Sequence, residues 1–167
     1  MPTRYPSLWL MTDERMGGAL WQALRRLPPG SGVVFRHYAL RPGERMRLFV
    51  AVRRVARARR LVVLSAGGPL PGADGVHGGT RPTSAPAHDR RQAARAARVG
   101  AVVLFVSPVF ATRSHPGAAA LGPAGAARIA RGLGVTTIAL GGMDARRWRR
   151  VRGAGFDGWA GIDAWLR

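Results

Sequence analysis

Eight short apolar runs alternate with helix-forming segments along nearly the whole chain, and this alternation limits the fold more than any other feature. The runs are LWLMT (8–12), GVVFRHY (32–38), LVVLS (61–65), ADGVHGG (73–79), a weaker one near TSAPAHD (83–89), AVVLFVS (101–107), VTTIAL (135–140) and DGWAGID (157–163). AVVLFVS is apolar on both alternating faces, as parallel strands covered on two sides are. Between the runs lie segments of helical period. Segment 19–27 puts Leu20, Leu24 and Leu27 on one face, and 43–60 turns Leu48, Val52 and Val55 inward with Arg outward. Further helices are expected at 89–98, 123–132 and 144–152. Eight strands alternating with helices predict an α/β fold of the (β/α)8 TIM-barrel type. The barrel is trimmed, because AGGPLPG leaves no room for a helix after the third strand and only AWLR follows the eighth. A three-layer α/β sandwich is the alternative if the ring does not close.

A chain of 167 residues is expected to form one domain over 1–167. No apolar run approaches the roughly 18 residues that span a bilayer, and the N-terminus lacks the pattern of a signal peptide. There is no Cys, hence no disulfide, thiolate nucleophile or Cys-held metal. A cytoplasmic location with no membrane partner is the expectation. All 27 basic residues are Arg, which excludes Schiff-base catalysis and a lysine phosphate clamp. The formal charge of +19 raises nucleic acid as a partner. However, the Arg residues fall in RRVARARR (53–60), DRRQAARAAR (89–98) and DARRWRRVR (144–152), each patterned as the solvated face of a helix. No nucleic-acid-binding motif accompanies them, so a nucleic-acid partner is not expected.

The chemistry-bearing residues gather at strand ends. His37, His77, His88 and His115 all fall at or just beyond the C-terminal end of a proposed strand, the face that carries the active site in barrels. Gly141-Gly142 follows the seventh strand, and Gly158 and Gly161 flank the eighth. Glycines there let a phosphate approach backbone N–H groups, although they also simply turn the chain. VSPVFATRSHPGAAALG (106–122) crowds Thr112, Arg113, Ser114 and His115 into the loop after the sixth strand. The two hydroxyls and the guanidinium suit phosphate oxygens, and the imidazole suits acid–base work.

LWLMTDERM, ADGVHGG, SPVFATRSHPGAAALG, IALGGM and GAGFDGWAGIDA together resemble the thiamin phosphate synthases and the related thiazole tautomerases. The resemblance implies a TIM-type barrel in thiamin biosynthesis that binds a small phosphorylated heterocycle, a thiazole phosphate or thiamin phosphate, at its C-terminal face. It places the phosphate grip at Gly141, Gly142 and the backbone around Gly161 and Ile162. Thr112 and Ser114 match the family's two loop hydroxyls, and His115 stands where the family has Lys. Arg36 matches the Arg of the second strand, with Val34 and Tyr38 in place of Gln and Lys. Asp163 stands where the family has a small residue beside the phosphate.

A synthase of this family couples a pyrimidine diphosphate to a thiazole phosphate with Mg²⁺. The positions of its Mg²⁺ carboxylates align with Ser65-Ala66 and fall near Pro82, so the usual ligands are absent here. A metal-independent tautomerase needs only an acid–base group, for which His115 is the first candidate and His88 and His37 follow. A non-catalytic phospho-ligand binder and a basic nucleic-acid-binding domain are the further alternatives. Homo-oligomerisation is left open.

Overall fold

The computed structural model describes residues 5–112, 117 and 119–166. Its strands are β1 (Leu8–Met11), β2 (Gly32–Phe35), β3 (Val62–Ala66), β4 (Gly75–His77), β5 (Ser84–Ala87), β6 (Val103–Val106), β7 (Thr136–Ala139) and β8 (Gly158–Gly161). All pair in parallel and in sequence order. β8 returns to β1 through the pairs Leu8↔Trp159 and Leu10↔Gly161. The barrel is closed, which rules out the three-layer sandwich.

Among the described residues five helices cover the outside: α1 (Ala19–Arg26), α2 (Pro42–Ala58), α3 (Arg90–Arg98), α4 (Gly122–Ala130) and α5 (Ala145–Val151). They follow β1, β2, β5, β6 and β7. Among the described residues no helix joins β3 to β4, and only a 3₁₀ turn, Asp163–Trp165, follows β8. The β4–β5 link, residues 78–83, is helix-free as well, an omission that the spacing of the runs did not single out. No helix of the described residues is long and apolar enough to cross a membrane.

Alternation along each strand divides the apolar residues between two environments. Trp9, Met11, Val34, Leu64, Val103, Phe105, Ile138 and Ala160 form the barrel interior. Leu10, Val33, Phe35 and Val63 face α1 and α2, while Leu104, Val106, Ala139 and Trp159 face the α3–α5 side. Trp9 meets Phe105 edge to face at 5.3 Å. Its indole lies directly over Gly32, where an added Cβ would come within 2.1 Å of the ring. The strand glycine therefore makes room for the largest side chain of the interior.

Helix α1 buries Leu20 and Leu24, with Leu27 just beyond its end, as its pattern suggested. Helix α2 departs from expectation. Its buried stripe is Phe49, Val52 and Ala56, while Leu48 and Val55 are only half-buried at the margin. The stripe is rotated because Phe49, the larger payload, takes the central contact with Phe35 at 5.4 Å. In α3, Asp89 caps the first turn by accepting from the Gln92 amide at 2.7 Å. Ala93 and Ala96 form its buried face, so Arg residues cover the remainder.

Candidate functional site

The strands end early at the C-terminal face, and the residues after them are free to turn inward. β2 stops at Phe35, which leaves Arg36 and His37 in the following loop. The Arg36 amide donates to the Thr12 hydroxyl at 2.9 Å, and its Nε donates to the Thr12 carbonyl at 3.0 Å. One terminal nitrogen lies 3.7 Å from the Asp13 carboxylate. Asp13 is itself held by Arg15 at 2.7 Å, and that hydrogen bond keeps its pKa below the ordinary carboxylate value. The Arg36 guanidinium is thus aimed by the end of β1.

On the opposite side, the loop after β6 is fastened to the loop after β7. The Val109 amide donates to the Leu140 carbonyl at 2.8 Å and the Phe110 amide to the Gly141 carbonyl at 3.1 Å. Arg147 of α5 adds a hydrogen bond to the Gly142 carbonyl while lying 5.0 Å above the Phe110 ring. Gly141 and Gly142 adopt φ of +93° and +60°, a region that L side chains avoid. A Cβ on Gly141 would approach Pro108 to 2.7 Å, and one on Gly142 the Ala111 carbonyl to 2.6 Å. Close packing of two loops therefore requires this pair. It also leaves two consecutive amides that, among the described residues, donate to no backbone carbonyl.

Between these loops lies a cavity of about 780 Å³ including its open mouth. Arg36, His88, Thr112, Gly141, Gly142, Gly161 and Ile162 all line it. Ser107, Pro108, Leu140, Met143 and Asp163 complete its wall. Pro108, Leu140, Met143 and Ile162 make part of its wall apolar, as in ring-binding surfaces. The polar groups are a guanidinium, an imidazole, two hydroxyls, a carboxylate and the glycine amides.

The histidines divide. His88 Nδ1 lies 2.8 Å from the Ser107 carbonyl, which can only accept, so Nδ1 carries the proton and Nε2 is left for a ligand. His37 is buried against Phe35, stacked at 4.9 Å, with Nδ1 3.1 Å from the Thr12 hydroxyl. Burial lowers its pKa, and it does not line the cavity. His77 sits within the barrel against Phe105 and Ser84, its Nδ1 2.9 Å from the Ser84 hydroxyl. Burial, with the Arg36 charge nearby, pushes its pKa down to about 4. Arg113, Ser114 and His115 lie outside the described residues.

Ser107 and Met143 lie within motifs quoted above but were not singled out as site residues, and Arg147 reads in the sequence only as part of an Arg-rich helix. The positions that the resemblance assigns to Mg²⁺ ligands hold side chains that do not suit the ion. The Ser65 hydroxyl donates to the Gly68 carbonyl at 2.9 Å and accepts from the Leu70 amide at 3.3 Å, Ala66 has no side-chain ligand, and Pro82 has none either. Among the described residues no group of three or more His, Asp or Glu converges.

Comparison with known proteins gives this geometry a context. A thiamine phosphate pyrophosphorylase from Pyrococcus furiosus superimposes with a TM-score of 0.81 at 21% identity, covering 96% of this chain and 87% of that one. Another from Bacteroides thetaiotaomicron gives a TM-score of 0.57 at 14% identity, covering 95% and 83%. Both show the barrel. A thiamine-phosphate synthase from Chloroflexus aurantiacus is 38% identical over 79 residues, which is 47% of this chain and 37% of that protein. The match thus spans little over a third of that relative. The family model for thiamine monophosphate synthase matches residues 76–165, from β4 through the 3₁₀ turn after β8. With more than half of its sequence matched by that model, the chain belongs to the thiamine monophosphate synthase family.

Proposed function

We propose that the cavity binds a small phosphorylated thiazole, or thiamin phosphate, and that His88 is its acid–base group. The convergence of the Gly141–Gly142 amides, Arg36 and the His88 imidazole on one half-apolar cavity carries this reading. The glycine amides and the Thr112 hydroxyl receive the phosphate, and the ring lies along Pro108, Leu140 and Met143. Fixed donors around an anion in a partly desolvated pocket are worth more than the same donors in water. Arg113 and Ser114 belong to the same phosphate-binding loop in this reading.

A tautomerase-like reaction is the activity this arrangement favours, because of the His88 tautomer. With Nδ1–H tied to the Ser107 carbonyl, neutral Nε2 takes a proton from the ring and the resulting imidazolium returns it at a neighbouring position. Arg36 stabilises the negative charge that develops between the two events. His115 and His37 are the other acid–base candidates.

Calorimetric titration with thiazole phosphate and with thiamin phosphate, at roughly 0.15 M salt to screen the net charge, tests the reading. Saturable one-to-one binding that Arg36→Gln weakens about tenfold or more, with unchanged thermal stability, is expected. His88→Asn should spare binding and remove proton exchange. Absence of binding by the wild-type protein to either ligand would contradict the assignment.

A further inference from the structure

The segments after β3 and β4 contribute nothing to the cavity wall, which is built from Arg36 and from residues at the ends of β5 to β8. Arg45, from the first turns of α2, donates Nε to the His37 carbonyl at 2.8 Å and Nη2 to the Ala66 carbonyl. Its guanidinium also lies 5.5 Å from the centre of the Phe35 ring. These anchors hold a permanent cation against the backbone oxygen at the end of β3. Tyr38 presses on the next residue, its ring so close that a Cβ on Gly67 would meet it at 3.1 Å.

We propose that this site is metal-free by construction: Arg45 and Tyr38 occupy the ground beside Ser65 and Ala66 that a divalent cation would need. The proposal rests on the preceding reading that the cavity binds a phosphorylated heterocycle.

A hard cation needs several oxygen ligands, carboxylates foremost, and a fixed positive charge bonded to a would-be ligand works against it. Most carboxylates at this end of the barrel are held by other groups, and Glu44, in the first turn of α2, is solvent-exposed and does not line the cavity. Asp13 pairs with Arg15 and faces Arg36, and Glu14 accepts from the Ala39 amide at 3.0 Å. Asp89 and Asp144 cap α3 and α5. Asp163 lines the cavity from the β8 side, without a second carboxylate beside it among the lining residues. The Ser65 hydroxyl is consumed by its own loop. A ligand carrying a diphosphate would have to recruit a metal at the β3–β4 side, where Arg45 and Tyr38 stand. A monophosphate needs only the glycine amides and the Thr112 hydroxyl.

Two measurements on the full chain decide this. Electron paramagnetic resonance of Mn²⁺, titrated into the protein alone and then with inorganic pyrophosphate, should reveal no protein-bound ion. A one-to-one protein–Mn²⁺ complex would overturn the proposal whatever the ligand. Calorimetry with thiazole phosphate should give affinities within about twofold with and without Mg²⁺, and Arg45→Gln should leave them within the same range. Tightening by Mg²⁺ of about tenfold or more, or a comparable loss in Arg45→Gln without loss of thermal stability, would contradict it. If thiazole phosphate does not bind at all while Mn²⁺ also stays free, the ligand assignment falls and the metal-free character of the site stands.

Discussion

His77 and His88 follow neighbouring strands, yet their rings meet opposite surroundings. His77 is the last residue of β4 and turns into the barrel, where Phe105 and the Ser84 hydroxyl enclose it. His88 lies one residue past β5 and turns into the cavity, oriented by the Ser107 carbonyl. Their placement near strand ends was legible in the sequence. Which way each ring points was not, because a shift of one residue along a strand reverses its side.

The buried ring has a consequence for stability. The folded barrel resists protonating His77 until about pH 4, whereas the unfolded chain takes up that proton below 6.5. The full stability is therefore present above pH 6.5 and is lost as the pH falls toward 4, by an amount on the order of 3 kcal/mol. Denaturant midpoints measured across this range should fall steeply for the wild type and less for His77→Gln. Equal slopes would show that another group governs the acid limb.

At the scale of elements, the loop after β6 (loop six) and the loop after β7 (loop seven) are packed as one unit. The Gly141 and Gly142 backbones fit under Pro108 and the Ala111 carbonyl, and Arg147 ties the second glycine to α5. Gly141→Ala forces a Cβ into Pro108 at a φ of +93°, so a loss of more than about 1 kcal/mol and of phosphate-ligand binding is expected. Gly153→Ala is the control, since no atom lies within 4 Å of its added Cβ and its φ is not left-handed. That variant should match the wild type or exceed it by a few tenths of a kcal/mol in chemical denaturation. Helix positions came through clearly in the sequence, because their apolar period is long enough to read. The orientation of α2 did not, since Leu48, Phe49, Val52, Val55 and Ala56 offer two overlapping stripes and only packing against Phe35 selects one. The β4–β5 link escaped notice because its residues, 78–83, have the turn composition of any short connection.

For the whole molecule, barrel closure follows from counting strands, and the eight runs gave that count directly. The identity of the cavity wall needed the fold, since Arg36, His88, Pro108, Gly142 and Asp163 are scattered through the chain and meet only when the ring closes. The charge of +19 also acts at this scale. Its Arg-rich helices attract any phosphorylated compound, so weak binding at low salt should fade as ionic strength rises while binding in the cavity persists. Titration of an isotope-labelled sample with thiazole phosphate at roughly 0.15 M salt, followed by amide NMR, separates the two contributions. Saturating shifts centred on Gly141, Gly142 and Thr112 are the result expected of a phosphate seated between loops six and seven. Shifts spread instead over α2, α3 and α5, with the glycine pair unmoved, would contradict the assignment of this cavity as the ligand site.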